Sequence, residues 1–384
     1  MPRILILAGE ASGDLHGASL AKSLTQLRPG IEIEGLGGAK MQDAGVRLLS
    51  GIERLDIIGL PSWSELRRAL AVLRKLSHHI ATTPYDAVVL IDNPGLNLRL
   101  ARVAKRSGHR VIYYIAPQIW AWNERRIKKL RKYVDRLLVI LPFEEAYFKK
   151  GGVDCRFVGH PIMDQLQPSY DVAGLRATFG LDPAAPVIGL LPGSRKSEVR
   201  RLLPVMLDAA QRLAQSGNSR DSSPQFVLAH APALPLALIE SFTAPSGLAV
   251  KLISDRAYDV IATCDALMVA SGTATLQTAL VGRPMTIIYR ASALAAAVFR
   301  HLIKVQWIGL ANLIAGREIA KELIQENLTG ERLARETEML LTDPTSLAQA
   351  ERAAEELRAK LGAPGASDRA AAQIIAMVEQ AAQA

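Results

Sequence analysis

Short apolar runs alternate with amphipathic stretches along most of the chain. The runs at residues 4–8, 87–91, 111–115, 137–141, 187–191 and 226–228 have the length of buried strands, and apolar residues recur at helical spacing between them. Strands separated by helix-length segments pair in parallel through crossover helices, so the pattern predicts a doubly wound α/β architecture. The periodicity lapses from Gly159-His160-Pro161 to Ser169 and then begins afresh, which places a domain boundary near residue 165. Beyond residue 328 the pattern is purely helical. The expected organisation is a Rossmann-like domain over 1–165, a second over 166–327, and a helical tail over 328–384 that packs back across both. The turn-rich stretch 216–224 reads as a surface loop, and no repeat of solenoid length is present.

Length supports two cores, because 384 residues exceed the roughly 250–300 at which a single core stops growing. A chain with 49% hydrophobic and 22% charged residues is a packed globular protein and not a disordered one. Cys155 and Cys264, far apart, exclude a disulfide framework or a zinc site and suit a reducing cytoplasm. The run at 4–8 is too short for a secretory signal, and no stretch reaches the roughly 20 apolar residues of a membrane span. A formal charge of +9 suits anionic lipid headgroups, sugar phosphates or nucleic acid without choosing among them.

Candidate chemistry lies where strands end. Gly9-Glu10-Ala11-Ser12-Gly13-Asp14 follows the first strand and opens a helix, so its backbone amides point towards a ligand crevice. Ser12 and Asp14 either cap that helix or hold sugar hydroxyls, with Gly13 allowing close approach. The segment has neither the full G-x-G-x-x-G pattern nor a P-loop lysine, which disfavours nicotinamide or ATP binding. Asp92 ends the run 87–91, at the carboxyl end of a parallel strand, and Asn93-Pro94-Gly95-Leu96-Asn97 forces a turn after it. Such a carboxylate is placed to accept a proton from a hydroxyl, a helix cap being the competing role.

Gly193-Ser194-Arg195 after the run 187–191 and Ser271-Gly272-Thr273 after 266–269 repeat one arrangement, free amides and hydroxyls at a helix start. Arg195 adds a bidentate cation. Each turn alone is ordinary strand-to-helix punctuation; two together point to a nucleotide diphosphate. No carboxylate cluster marks a metal site, so neither metal nor cofactor is expected. His160 reads as structural, and His78-His79 as solvated surface.

Trp63, Leu66, Leu70, Leu73 and Leu76 recur at helical spacing beside Arg67, Arg68, Arg74 and Lys75, the pattern of a helix lying on a membrane surface, with core packing as the alternative. The stretch 291–303 has a similar character. The basic run at 125–132 follows Trp120-Ala121-Trp122, but no nucleic-acid-binding signature accompanies it. Lipid phosphate or solvent is its expected contact, not nucleic acid.

Six motifs in order resemble the lipid-A-disaccharide synthase family: Gly9 to Asp14, Asp92-Asn93-Pro94, Pro117-Gln118-Ile119-Trp120-Ala121-Trp122, Leu191 to Arg195, Ser271 to Thr275 and Asn312-Leu313-Ile314-Ala315-Gly316-Arg317. The match runs from residue 3 to about residue 326. The resemblance implies a GT-B fold of two facing Rossmann-like domains with a helical C-terminal extension. It also implies inverting transfer from UDP-2,3-diacylglucosamine to 2,3-diacylglucosamine 1-phosphate (lipid X), giving the β-1′,6 disaccharide 1-phosphate and UDP. Asp92 matches the family's essential aspartate, a candidate general base. Gly193, Ser194, Arg195, Ser271, Gly272, Thr273, Gln277 and Asn312 fall in the donor region, and Ser12, Gly13 and Asp14 shape the acceptor cleft. The expected setting is the cytosolic face of the inner membrane, on an anionic surface, with homodimerisation left open.

Two positions depart from related patterns. Gln277 stands where many relatives of this fold carry a glutamate for the ribose hydroxyls, although an amide still accepts a bond. Gly95 stands where some family members carry a second acid, which disfavours a two-carboxylate mechanism. A hydrolysing UDP-sugar epimerase and a lipid-binding scaffold without catalysis are the competing readings.

Overall fold

The computed structural model describes residues 1–9, 11–50, 63–216, 223–291 and 305–382. The chain divides into two compact units: residues 1–164 with 361–384, and residues 165–360.

In unit 1 the elements are β1 (Arg3–Ala8), α1 (Ala11–Leu27), β2 (Glu32–Leu36), α2 (Ala39–Asp43), β3 (Arg47–Leu48), α3 (Trp63–Thr82), β4 (Ala87–Ile91), α4 (Pro94–Arg106), β5 (Arg110–Tyr114), α5 (Ile119–Trp122), α6 (Ile127–Tyr133), β6 (Arg136–Val139), α7 (Glu144–Lys150) and β7 (Cys155–Phe157). Its strands form one parallel sheet in the order β3-β2-β1-β4-β5-β6-β7. The order reverses between β1 and β4, and there a doubly wound sheet opens its crevice. Register sets the level of that crevice: Ala8 pairs with Ile91, and Ile91 with Tyr114, so Gly9, Asp92 and Ile115 leave the sheet side by side. β1 and β4 are apolar almost throughout because helices cover both faces of a parallel sheet.

β2 escapes the simple pattern. Its Glu34 is buried, which a charged residue tolerates only when paired. Arg3 Nη2 donates to Glu34 Oε1 at 2.8 Å, the Arg47 guanidinium and the Tyr85 hydroxyl join it, and His79, expected on the solvated surface, is half-buried here with Nε2 2.7 Å from Tyr85 Oη.

Unit 2 contains α8 (Val172–Thr178), β8 (Val187–Leu191), α9 (Lys196–Gln215), β9 (Gln225–His230), α10 (Leu236–Thr243), β10 (Val250–Ser254), α11 (Ala257–Thr263), β11 (Ala266–Ala270), α12 (Thr273–Val281), β12 (Met285–Tyr289), α13 (Leu310–Ala315), β13 (Glu322–Ile324), α14 (Gly330–Thr342) and α15 (Ser346–Leu361). Its parallel sheet runs β10-β9-β8-β11-β12-β13 and reverses between β8 and β11. Leu191 pairs with Val269, so the turns after β8 and β11 emerge together at that switch point.

Residues after 328 do not form a body of their own. Leu333 and Ala334 of α14 share a core with Val199, Leu202 and Met206 of α9, whereas the final helix, α16 (Ala366–Ala382), packs in unit 1. There Ala370, Ala371 and Ile374 bury against Ala18, Ala21 and the apolar face of β1. Helices with one apolar stripe settle on whichever sheet layer offers an uncovered face. No helix among the described residues is long and apolar enough to cross a membrane.

Candidate functional site

In unit 1 the site is organised around the backbone of Asp92. Asp92 and Asn93 both have left-handed conformations, with φ of 48° and 43°, uncommon for residues other than glycine and tolerated best by Asn and Asp. Pro94 starts α4, and Asn93 caps it by accepting from the Leu96 amide at 3.3 Å. The Asp92 carbonyl accepts twice, from Tyr113 Oη at 2.5 Å and Asn97 Nδ2 at 2.7 Å, and Asn97 also donates to the Ile91 carbonyl at 2.9 Å. Tyr113 is fully buried, and burial first, then the nearby Asp92 charge, raises its phenol well above its usual value. It therefore stays a hydrogen-bond donor. These contacts hold a strained turn, with its half-buried carboxylate, at the mouth of the switch point.

Gly9 leaves β1 directly beside this turn. A Cβ there would stand 2.6 Å from Asn93 Nδ2, so a larger residue would displace the Asn93 carboxamide that caps α4. Ser12 is exposed at the start of α1, while Gly13 is buried, and a Cβ added to it would stand 3.2 Å from the Ala8 Cβ. Asp14 has a different task from shaping a cleft. It is 5% exposed, and its carboxylate accepts from the amides of Gly38 at 2.7 Å, Met41 at 3.1 Å and Lys40 at 3.3 Å, satisfying the N-terminus of α2.

The Trp120 motif follows β5 and is held from below. Trp120 Nε1 donates to Glu144 at 3.0 Å, and Glu144 also accepts from the Leu141 amide at 3.2 Å. Glu144 is 1% exposed; burial lifts its carboxyl to about 7 despite the hydrogen bonds it accepts. Burial acts the other way on two histidines, lowering His16 to about 4 and His160 to about 3, so both are neutral at pH 7. His160 Nδ1 accepts from the Ile162 amide at 3.1 Å, a structural role.

In unit 2 the turn after β8 depends on Gly193, whose φ is 102°. Glu198, in the first turn of α9, folds back to accept from the amides of Ser194 and Arg195, each at 3.2 Å, and from Arg195 Nη1 at 2.9 Å. The amides expected to face an anion are thus held by an internal carboxylate, and the exposed Arg195 side chain is the cation of this turn. After β11, Ser271 Oγ donates to the Ile308 carbonyl at 2.9 Å, while Gly272 and Thr273 are exposed at the start of α12. Gln277, one turn further along α12, is half-buried.

Asn312 is not available to a ligand. Fully buried, it donates to the Ala320 carbonyl at 2.8 Å and Glu322 Oε1 at 2.9 Å, and it accepts from the amides of Ile319 at 2.8 Å and Ala320 at 3.0 Å. A carboxamide offers two donors and two acceptor lone pairs, and all four are used. Asn312 therefore braces the loop around α13. Glu322 shares the work by accepting from the amides of Ile308 at 3.0 Å and Gly309 at 2.9 Å.

Of the residues expected to face a membrane, Leu70 is 50% exposed and Leu73 half-buried, whereas Leu76 is fully buried in the core of unit 1, the alternative role, because α3 turns that side towards the sheet. The side chains of Trp63 and Leu66, and residues 292–303 of the second amphipathic stretch, lie outside the described residues. No group of three or more metal-binding side chains occurs among the described residues. The supporting residues Asn97, Tyr113, Glu144, Glu198 and Glu322 had no signal as site residues in the sequence. Asn97, a polar residue on the apolar side of α4, came nearest.

A family model described as lipid-A-disaccharide synthetase matches residues 4–378. The chain belongs to the lipid-A-disaccharide synthase family. It is 42% identical to the lipid-A-disaccharide synthase of Geobacter metallireducens over 382 residues, covering 98% of this chain and 97% of that one. The synthase of Syntrophus aciditrophicus is 43% identical over 381 residues, with 98% of each chain covered. Members of the family are glycosyltransferases. The fold agrees: the glycotransferase of kitacinnamycin superposes with a TM-score of 0.63 at 16% identity, covering 98% of this chain and 100% of that one. UDP-GlcNAc 2-epimerase from Neisseria meningitidis superposes with a TM-score of 0.62 at 12% identity, with 100% of each chain covered. The architecture is GT-B, two parallel-sheet α/β domains with a helical C-terminal end.

Proposed function

We propose that the chain transfers 2,3-diacylglucosamine from its UDP derivative to lipid X with inversion, releasing UDP and the β-1′,6-linked disaccharide 1-phosphate. The observation that carries this reading is the braced left-handed turn of Asp92 at the β1/β4 switch point. Displacement of UDP by a sugar hydroxyl needs a base for the hydroxyl proton, and a carboxylate on a rigid turn supplies one at fixed geometry. The departing UDP gains negative charge, and the turns after β8 and β11 offer Arg195 and the exposed start of α12 to it. Exposed Ser12 lines the acceptor side.

Both substrates carry acyl chains, which supports peripheral attachment at the cytosolic face of the inner membrane. Leu70 on α3, exposed among Arg67, Arg68 and Arg74, supports α3 as the attached element.

The test is incubation with UDP-2,3-diacylglucosamine and lipid X without added metal, following UDP and disaccharide by mass spectrometry. Asp92→Asn is expected to slow product formation about 10²- to 10⁴-fold with an unchanged melting temperature. Normal turnover by Asp92→Asn would remove the base assignment. Absence of disaccharide from folded wild-type protein, or turnover of unacylated UDP-N-acetylglucosamine instead, would overturn the reaction itself.

A further inference from the structure

A cavity of about 560 Å³ lies in unit 1 between α3, α4 and α6. It begins one turn into α4 and extends to that helix's last turn, so it runs along the helical layer and not along the strand ends. Its floor is apolar, made by Leu73 of α3, Leu98 and Val103 of α4 and Tyr133 of α6. Its rim is cationic: Arg99, Arg102 and Arg106 on one side, Lys128, Lys129 and Lys132 on the other. All six are exposed, and among the described residues no acidic side chain lines the cavity and none of the six forms an ion pair. Lys105, beside them on α4, pairs with Asp135 and takes no part in the lining. Lys132 Nζ lies 5.6 Å from the centre of the Tyr133 ring.

Six unpaired cations converging on one concavity repel one another and raise its positive potential, and a bound anion removes that cost. A free phosphate would need the rim but not the floor. An amphiphile with an anionic head uses both. Leu70 extends the floor outwards, because it stands three residues before Leu73 on the same helical face and is half exposed.

We propose that this groove seats one anionic phospholipid of the bilayer, its phosphate between the α4 and α6 cations and the roots of its acyl chains over Leu98, Val103 and Leu73. The proposal rests on the peripheral attachment described above and not on the transfer reaction. It differs from diffuse attraction to a charged surface in being saturable and confined to named residues.

Calorimetric titration with dihexanoyl-phosphatidylglycerol below its micelle concentration tests the seat, alongside co-sedimentation with phosphatidylcholine vesicles with and without phosphatidylglycerol. Expected are saturation at one dihexanoyl-phosphatidylglycerol per chain and much weaker binding of dihexanoyl-phosphatidylcholine. Arg102→Gln with Lys129→Gln should lower the affinity roughly 25-fold, about fivefold per cation. Arg67→Gln with Arg68→Gln, outside the groove, should leave that affinity unchanged while weakening vesicle binding. Melting temperatures confirm that both variants fold. Equal losses in the two double variants would reduce the seat to diffuse attraction, and equal binding of glycerol 3-phosphate would make it a free-phosphate site; either overturns the proposal. Vesicle binding without saturable short-chain binding would overturn the seat and leave peripheral attachment standing, whereas no vesicle binding would remove both.

Discussion

The phenol of Tyr113 donates to the main-chain carbonyl of Asp92 across 2.5 Å, joining β5 to the turn that carries the proposed base. Tyr113→Phe keeps the ring and its packing but removes this bond, with the Asn97 carboxamide still donating to the same carbonyl. A lost neutral hydrogen bond is worth about 1 kcal/mol; felt wholly in the placement of the carboxylate, it lowers turnover about fivefold. Initial rates of UDP release check this, and the KM for the UDP-sugar should not change because the proposed donor turns lie in unit 2.

Asp92 has a φ of 48°, where a Cβ is unfavourable and glycine is at ease. Asp92→Ala and Asp92→Gly both delete the carboxylate and should both lose transfer activity. They should differ in stability: the glycine variant is expected to be more stable by about 1 kcal/mol. Urea unfolding of the pair measures the difference. An alanine variant as stable as the glycine variant would show that the left-handed turn relaxes once the carboxylate is gone.

Glu144 makes a pH-dependent contribution that Glu144→Gln removes. Its carboxyl is raised by burial from 4.5 to about 7, so between those values the folded protein holds a proton that the unfolded chain has released. The contribution is fully present below about 4.5 and is lost as pH rises towards about 7, by something of order 3 kcal/mol. His16 and His160, lowered to about 4 and about 3, act in the opposite sense and cost stability as pH falls below about 6.5. Subtracting the variant's melting curve from the wild type's cancels the histidines. The difference should fall steadily across that window, with the glutamine variant the more stable above pH 7 while its amide oxygen still accepts from Trp120.

Asn312→Ala strips partners from the Ile319 and Ala320 amides and the Ala320 carbonyl inside the protein. The expected loss is roughly 2–4 kcal/mol, read from chemical unfolding. Asn312→Asp keeps the acceptors but sets a second carboxylate against Glu322, and Glu322→Gln should recover part of that loss. Unchanged stability together with weakened UDP binding would return Asn312 to the donor site.

Strands, crossover helices and the two-unit character are legible in the sequence because they follow from local geometry. A buried parallel strand is a short apolar run, and a helix shows its period wherever it packs. The address of Asp92 is legible for the same reason: a strand end followed by Asn93-Pro94 forces a turn whatever lies around it. β2 was hidden because Glu34 reads as a surface residue until Arg3, Arg47 and Tyr85 are brought to it from three other places in the chain. Asp14 and Asn312 sit in site-like motifs, yet each is bonded to groups that lie outside its motif, Asp14 to the start of α2 and Asn312 to Ile319, Ala320 and Glu322. Tyr113 meets Asp92, and Glu144 meets Trp120, only because β4, β5 and β6 lie side by side at one level. Periodicity determines what an element is and which face it buries. Sheet order and register decide which side chains meet, since those depend on the packing of whole layers and leave no trace in the spacing of residues along one segment.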